Sequence, residues 1–260
     1  MTRWWHSRFG ADLLNEIAQL AALLLLYKFV RYWSRDQLSA AFDNARYVIR
    51  LERDLRVPSE VDLTVLSLRM PILVRFLNQY YLIAHFSVTI IFGIWMYVRK
   101  PEPYRLCRRI LIWMSAIGLV LHVVYPLAPP RMFPEFGFID TGRLFGPRAY
   151  GDDGLFEGVS NQLAAMPSLH FGWAVLVAWG TVKFTKSRWR WVSLAHPILT
   201  LLAIIVTANH YWLDAFVALL IFMAVTSVTM WRENSRSRIE PSVGDRPHYD
   251  DRDVVATGVG

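Results

Sequence analysis

A histidine and an aspartate in the carboxyl-terminal third of the chain have a spacing that suits nucleophilic chemistry. His210 and Asp214 are four residues apart, so a helix would place both side chains on one face, one turn apart. A carboxylate that accepts a hydrogen bond from one imidazole nitrogen fixes the tautomer and leaves the other nitrogen free to attack. The spacing therefore predicts an oriented histidine nucleophile.

A second histidine closes a Met-Pro-Ser-Leu-His segment that has the composition of a helix start. Because proline suits the first helical turn, Pro167 predicts unpaired backbone amides near Ser168 and Leu169. Such amides attract an anion, and His170 lies beside them. Arg131 adds a permanently charged fork for phosphate oxygens. Phosphoryl transfer needs little more than a positioned nucleophile, charge stabilisation and an acid for the leaving oxygen.

The elements that must position these residues are apolar enough to lie in a lipid bilayer. Of the 260 residues, 54% are hydrophobic and only 19% are charged, which is too little charge for a typical water-soluble domain. Four segments contain no charged residue and lie in longer apolar stretches near the roughly 20 residues that a transmembrane helix needs. These segments are 110–121, 173–179, 199–206 and 216–225. The sequence therefore predicts an all-α integral membrane bundle.

Six transmembrane helices are predicted, near residues 13–29, 76–98, 110–125, 168–184, 191–207 and 211–231. The first could also be a signal peptide after the basic start, but no small-residue cleavage site follows closely, so an uncleaved anchor is preferred. Residues 36–56 place Phe42, Ile49 and Leu55 at roughly helical spacing among charges, which predicts an amphipathic helix on the membrane surface or over the bundle. Residues 1–231 form the predicted catalytic domain, and residues 232–260 a polar, disordered cytoplasmic tail.

Basic loops predict the orientation of the bundle. One group lies between the second and third spans and the other between the fourth and fifth: Arg99, Lys100, Arg105, Arg108 and Arg109, then Lys183, Lys186, Arg188 and Arg190. Both loops are expected in the cytoplasm, with both termini, since the number of spans is even. The mixed-charge connection 126–165 is then outside, in an integral cell membrane protein. Arg131, His170 and the His210–Asp214 pair all arrive at that outer face, although the orientation argument used none of them.

The net charge of +7 does not point to nucleic acid, because the basic residues concentrate beside apolar runs, where they anchor helices. The single cysteine, Cys107, excludes an intrachain disulfide.

Three other histidines are expected to be packed and hydrogen-bonded in helices: His85, His122 and His196. Arg131 has a plainer alternative as an interface anchor, and Arg143 and Arg148 are expected to be solvated loop charges.

The chain resembles the type-2 phosphatidic acid phosphatase superfamily, and most closely its branch of inositol phosphorylceramide synthases and bacterial relatives. The resemblance covers roughly residues 80–225 and rests on three motifs: Ala128-Pro-Pro-Arg131, Ala165-Met-Pro-Ser-Leu-His170 and Asn209-His-Tyr-x-x-Asp214. It implies a six-helix membrane bundle that works without metal or other cofactor. The implied substrate is a membrane lipid, either a phospholipid or a prenyl phosphate. The residues do not define an oligomeric state.

The resemblance also implies roles for the motif residues. By position, His210 would become phosphohistidine, Asp214 would orient it, and His170 would protonate the leaving group. The phosphate would be held by Arg131, Ser168 and the adjacent amides, including that of Leu169.

Three departures from the lipid phosphatase pattern bear on the reaction. The Lys-x6-Arg-Pro motif is absent, Pro-Ser-Gly-His is here Pro-Ser-Leu-His, and the Ser-Arg pair before the third-motif histidine is replaced by the apolar residues 202–206. Fewer cations suit a singly charged phosphodiester at least as well as a monoester dianion. The predicted reaction is therefore either hydrolysis of a lipid phosphate or transfer of a phosphodiester head group.

Two other classes of function compete with this interpretation. Two histidines and one aspartate could form a facial metal site with open positions, as in a metal-dependent membrane hydrolase. A non-catalytic transporter or scaffold would instead place its polar groups along a central pathway rather than at one end.

Overall fold

The computed structural model describes residues 37–146 and 163–239, together with 18–19, 21–23, 25–29 and 32. Within these residues every regular element is a helix, and an isolated bridge between Leu127 and Ala164 is the single strand-like pairing. The all-α prediction is confirmed for this part of the chain.

The longer helices are α1 Leu38–Asp54, α2 Glu60–Ser67, α3 Pro71–Gln79, α4 His85–Arg99, α5 Pro101–Val124, α6 Thr141–Phe145, α7 Leu169–Phe184, α8 Ala195–Val206 and α9 Trp212–Ile239. A π-helical turn, Tyr80–Ala84, joins α3 to α4 without a break, and a 3₁₀ segment, Arg188–Leu194, leads into α8. Two further 3₁₀ turns, Pro130–Met132 and Pro134–Phe136, lie between α5 and α6.

Four helical stretches are long and apolar enough to cross a membrane: Pro71–Arg99, Pro101–Val124, Arg188–Val206 and Trp212–Ser235. They correspond to the second, third, fifth and sixth predicted spans, which are confirmed. Their outer faces carry large exposed apolar side chains such as Ile91, Trp113 and Phe216, as helices in contact with lipid require. The chain is therefore an integral membrane protein. The count of six spans stays a prediction, because the first span lies mostly outside the described residues.

The fourth predicted span is α7, which has only 16 residues and packs against α5, α8 and α9. Its first residue lies level with Gly118 of α5, since a Cβ added at Gly118 would be 2.7 Å from Cδ2 of Leu169. Because α5 continues to Val124, α7 starts about 9 Å below the end of α5 at a rise of 1.5 Å per residue. The central helix therefore begins inside the bundle rather than at its rim.

Helix α1 covers the same end of the bundle with one buried face. Ala41, Ala45, Val48 and Ile49 pack against the loops that follow α5 and α8. Leu55, which the sequence pattern placed on the apolar face, lies just past the end of the helix and is 62% exposed. The helix thus packs over the bundle, and its contact with a membrane surface stays a prediction.

The predicted boundary between the catalytic domain and the polar tail stays a prediction. Helix α9 continues past Arg232 to Ile239, so residues 232–239 are helical rather than disordered. Residues 240–260, which hold the rest of the predicted tail, lie outside the described residues.

Close approach of α7 to its neighbours depends on a glycine. A Cβ added at Gly180 would be 2.7 Å from Cζ of Phe92 and 3.2 Å from Sγ of Cys107. A Cβ at Gly93 of α4 would meet no atom within 4 Å. The two helical glycines are therefore a matched pair, one at a crowded contact and one in open space.

We expect Gly180→Ala to destabilise the protein by about 1–3 kcal/mol, because Phe92 and Cys107 must move. Gly93→Ala should stabilise it by up to about 1 kcal/mol, since alanine favours a helix and meets no clash. The thermal unfolding midpoints of both variants in one detergent would be compared with that of the wild type. Equal shifts in the two variants would contradict the close packing of α7.

Candidate active site

Three loop segments meet at the end of the bundle where α7 and α9 begin and α5 and α8 end. Their backbones hydrogen-bond to one another rather than to their own helices, which satisfies polar groups that would otherwise be unpaired. The bonds run from Leu127 N to Leu163 O (2.9 Å), Ala165 N to Leu127 O (3.2 Å), Ser168 N to Asp214 O (3.1 Å) and Arg131 N to Ala208 O (2.9 Å). The structure thus brings the three sequence motifs together, as predicted from their order along the chain.

The orientation of His210 follows from its hydrogen bonds. Its Nδ1 lies 2.8 Å from the carbonyl oxygen of Ala165 and 3.2 Å from Oδ2 of Asp214. A carbonyl oxygen only accepts, so Nδ1 must carry the proton and donate it. In the neutral ring the lone pair is then on Nε2. The arrangement leaves the lone pair of Nε2 free to interact with a ligand.

Asp214 is fully buried and is held by two donors. Its Oδ2 accepts from His210 and from the backbone N–H of Tyr211, at 2.9 Å. Since α9 begins at Trp212, His210 lies in the turn before the helix and not on a helical face, which corrects the predicted placement. Asp214 is the third helical residue and reaches back to the amide before the helix, as in a capping box. The helix cap and the histidine partner are therefore the same carboxylate oxygen.

The turn between α8 and α9 has an unusual backbone. Ala208 adopts φ +51°, the left-handed region, which costs an L-residue about 1–2 kcal/mol. The amides of Asn209 and His210 both donate to the carbonyl of Ile204, at 3.0 and 3.2 Å. A residue kept in this region at a site indicates that the rest of the turn determines its conformation. Here the turn directs the His210 ring towards α7.

His170 lies in the first turn of α7, opposite His210. Their ring centroids are 6.1 Å apart. Tyr81, from the π-helical turn, stacks on His170 at 4.5 Å, and the ring of His85 lies at 4.8 Å. Two imidazoles facing one space can act on one phosphate from different directions.

The histidines that were expected to be structural differ from one another. His122 bonds to the carbonyl of Pro167 through Nε2 at 3.2 Å, and His196 bonds to the hydroxyl of Tyr80 through Nδ1. Both are packed and hydrogen-bonded, as predicted. His85 is fully buried against His170, and neither of its ring nitrogens has a hydrogen-bond partner among the residues that the structure describes.

The start of α7 is set by Ser168 rather than by Pro167. Ser168 is the N-cap, and its Oγ accepts from the amide of Phe171 at 3.4 Å. Pro167 lies before the cap, after a cis peptide bond, so the predicted place of this proline in the first turn is wrong. The amides of Leu169 and His170 belong to the first turn, where a helix offers no carbonyl partner. They remain the expected donors to an anion.

Arg131 lies in the 3₁₀ turn Pro130–Met132, and its Nη1 donates to Oδ1 of Asn209 at 2.6 Å. Asn209 in turn donates to Oγ1 of Thr207 at 2.6 Å. The guanidinium is therefore tied to the residue beside His210. Asn209 had no assigned role in the sequence interpretation, although it stands in the third motif. Arg148 lies outside the described residues.

Tyr211 joins the first and third motifs. Its side chain is fully buried, and its hydroxyl donates to the carbonyl of Ala128 at 3.1 Å. The sequence interpretation assigned no role to this residue, because an aromatic residue beside an apolar helix is common.

The described residues contain no group of three His, Cys, Asp or Glu side chains with the geometry of a metal site.

A family model described as the PAP2 superfamily matches residues 46–228, which include all of the candidate site residues. The chain belongs to the PAP2 superfamily. PAP2 superfamily membership makes it a membrane enzyme of the phosphatase or phosphotransferase type. No curated protein and no solved structure matches the chain.

In this PAP2 superfamily member, Tyr211→Phe should lower the free energy of unfolding by about 1–3 kcal/mol, because the buried carbonyl of Ala128 loses its donor. The exposed Tyr47 is a matched control, and Tyr47→Phe should change stability little. Denaturant titration in one detergent would measure both. Equal stability of the two variants would show that the hydroxyl does not hold the motifs together.

Proposed function

We propose that this enzyme transfers the phosphate-bearing head group of a membrane lipid through a covalent intermediate on Nε2 of His210. The observation that carries the proposal is the pair of acceptors at Nδ1 of His210, the carbonyl of Ala165 and Oδ2 of Asp214. They fix the ring and its tautomer, so that the Nε2 lone pair is directed at a phosphorus atom.

Each remaining candidate has a place in the reaction. Arg131, the hydroxyl of Ser168 and the amides of Leu169 and His170 bind the non-bridging phosphate oxygens. As Nε2 of His210 bonds to phosphorus, the bond to the lipid alcohol breaks and His170 gives that oxygen a proton. In the second step, water or another alcohol gives its proton to His170 and attacks phosphorus, which frees His210. Protons and bonds balance over the two steps.

Head-group transfer from a phosphodiester is the form of this reaction that the sequence favours. The residues just before the third motif are apolar, and Ile204, Ile205 and Val206 are buried, so this segment supplies no cation to the phosphate. One arginine fork suits the single charge of a diester better than the two charges of a monoester. The likeness to inositol phosphorylceramide synthases supports the same proposal. Phospholipids are the candidate donors for this transfer, whereas prenyl phosphates, which are monoesters, are the candidate substrates for hydrolysis.

The proposal is tested with purified protein and phosphate-labelled phosphatidylinositol or prenyl phosphate, with and without a lipid alcohol acceptor and in the presence of a chelator. We expect labelled product on the acceptor, together with an acid-labile, base-stable label on the protein. Label released only to water in every condition, as inositol phosphate from phosphatidylinositol or as free phosphate from prenyl phosphate, would indicate hydrolysis without transfer. Activity that chelation abolishes and one metal restores would favour the metal-dependent alternative.

Variants of His210 and His170 should differ in their residual turnover and in whether the labelled protein forms. His210→Ala should abolish turnover and the labelled protein, because it removes the nucleophile. His170→Ala should lower turnover on lipids by about 10²–10⁴-fold, the usual effect of general acid assistance. A nitrophenyl ester, whose leaving group needs little protonation, should partly rescue His170→Ala. If His210→Ala still forms the labelled protein and His170→Ala never does, the two roles are reversed.

We further propose that the site faces away from the cytoplasm. The basic residues gather at the opposite end of the bundle, where Arg109 pairs with Glu233 at 2.6 Å and Lys183 lies against Met230. That end is the one that the distribution of positive charge assigns to the cytoplasm. The site would then be extracytoplasmic.

The exposed Glu135, in the loop after α5, and the exposed Arg105, at the basic end, provide the topology test. In intact cells, Glu135→Cys should react with a membrane-impermeant thiol reagent, and Arg105→Cys should react only after permeabilisation. Cys107 is buried and contributes little background. The opposite labelling pattern would invert the proposed orientation.

A further inference from the structure

The first turn of α9 receives two buried glutamates from distant parts of the chain. Oε1 of Glu52 accepts from the amide of Leu213 at 2.7 Å, and Oε1 of Glu60 accepts from the amide of Trp212 at 3.4 Å. With Asp214 on the amide of Tyr211, three carboxylates serve three consecutive backbone donors. Negative groups at a helix N-terminus are favoured by the helix dipole. The bonding therefore stabilises the helix start next to His210.

Burial of these side chains is unusual. Glu52 is 5% exposed and Glu60 is 7% exposed, whereas glutamates are almost never buried without a partner. Both carboxyl groups accept from adjacent amides at the start of α9, those of Trp212 and Leu213, so they lie near one another. Two negative charges this close in a buried site would repel, which favours the protonated form of Glu52.

The surroundings of Glu52 favour its protonated form. Burial, the neighbouring Glu60 carboxyl group and the charge of Asp214 raise the pKa of Glu52 to about 9, against the lowering effect of the Leu213 amide. A second negative charge here would therefore be costly at neutral pH.

Helix α1 and the residues after it, which carry the glutamates, also form other hydrogen bonds with the site. The indole N–H of Trp212 donates to the carbonyl of Pro58 at 2.8 Å, between α1 and α2. On the other side of α1, the amide of Ala128 donates to the carbonyl of Ala41 at 3.2 Å, and Asn44 donates to the carbonyl of Pro126 at 2.9 Å. Helix α1 and the segment after it thus hold both the first and the third motif.

We propose that Glu52 and Glu60 are positioning residues, which clamp the start of α9 so that Asp214 and His210 keep their catalytic geometry. This inference rests on the proposed role of His210. Ionisation of Glu52 places an extra charge beside Asp214 and weakens the clamp. A misplacement of about 1 Å at a catalytic group can cost about 10²-fold in rate.

The sign of the pH dependence follows from the raised pKa. The folded protein holds the proton of Glu52 more tightly than the unfolded chain, so Glu52 is most favourable to folding at low pH. That contribution is lost as the pH rises from the ordinary glutamate value, 4.5, through about 9. Glu52→Gln cannot ionise and keeps an acceptor for the Leu213 amide. It should therefore unfold with a weaker pH dependence than the wild type over this range.

The test compares Glu52→Gln, Glu52→Ala and a control, Asp54→Ala, whose side chain is exposed near the same end of α1. With the lipid substrate, Glu52→Ala should lower kcat about 10–10²-fold with little change in KM, since it disturbs the nucleophile rather than lipid binding. Glu52→Gln should keep kcat within about threefold of wild type and lose the alkaline fall in kcat near pH 9. Asp54→Ala should behave as wild type.

Wild-type kcat in folded Glu52→Ala, or an unchanged alkaline fall in Glu52→Gln, would overturn the inference. If Glu52→Ala does not fold, the pH profile of Glu52→Gln decides the question alone. His210→Ala, assayed beside them, separates the two proposals. If His210→Ala still turns over the lipid substrate, the proposed function of the site is wrong. If His210→Ala is inactive and the glutamate variants behave as wild type, only the positioning role of the glutamates is wrong.

Discussion

The buried carboxylate of Asp214 is the group on which the active end of the molecule depends. One of its oxygens accepts from the amide before α9 and from the His210 ring, while its backbone carbonyl accepts from Ser168, the cap of α7. A carboxylate out of water is costly unless it accepts hydrogen bonds. Oδ2 has two donors, the start of α9 and the His210 ring, whereas Oδ1 has no partner among the described residues. The fold of this end and the geometry of the site are therefore one set of hydrogen bonds.

At this end of the bundle the backbone groups of the loops hydrogen-bond to one another and to helix α1, which accounts for the position of α1 over them. At membrane depth, irregular backbone is tolerated only where protein buries it and supplies its hydrogen-bond partners. The segment after α5 pairs with the segment before α7, and helix α1 adds an acceptor at Ala41 and a donor at Asn44. Removing α1 would leave these groups without partners. Helix α1 is thus held to the same end of the bundle as the three motifs by hydrogen bonds.

Sequence patterns predicted the features that depend on local composition. Four apolar spans and the meeting of the three motifs follow from hydropathy and the order of the helices. Features set by tertiary partners were not visible. The sequence interpretation assigned no role to Glu52 or Glu60, because their acceptor role depends on amides more than 150 residues away. Pro167 was assigned to the helix, because its preference for a first turn does not reveal that Ser168 supplies the cap.

The low starting point of α7 has a consequence for the competition between acceptors. His170 lies about 9 Å below the end of α5, by the rise of an α-helix. A phosphate bound beside His170 would therefore lie below the end of α5. Under the proposed head-group transfer, an acceptor dissolved in the bilayer would reach that depth more readily than one dissolved in water. The short α7 would then bias the choice of acceptor without any residue that recognises it.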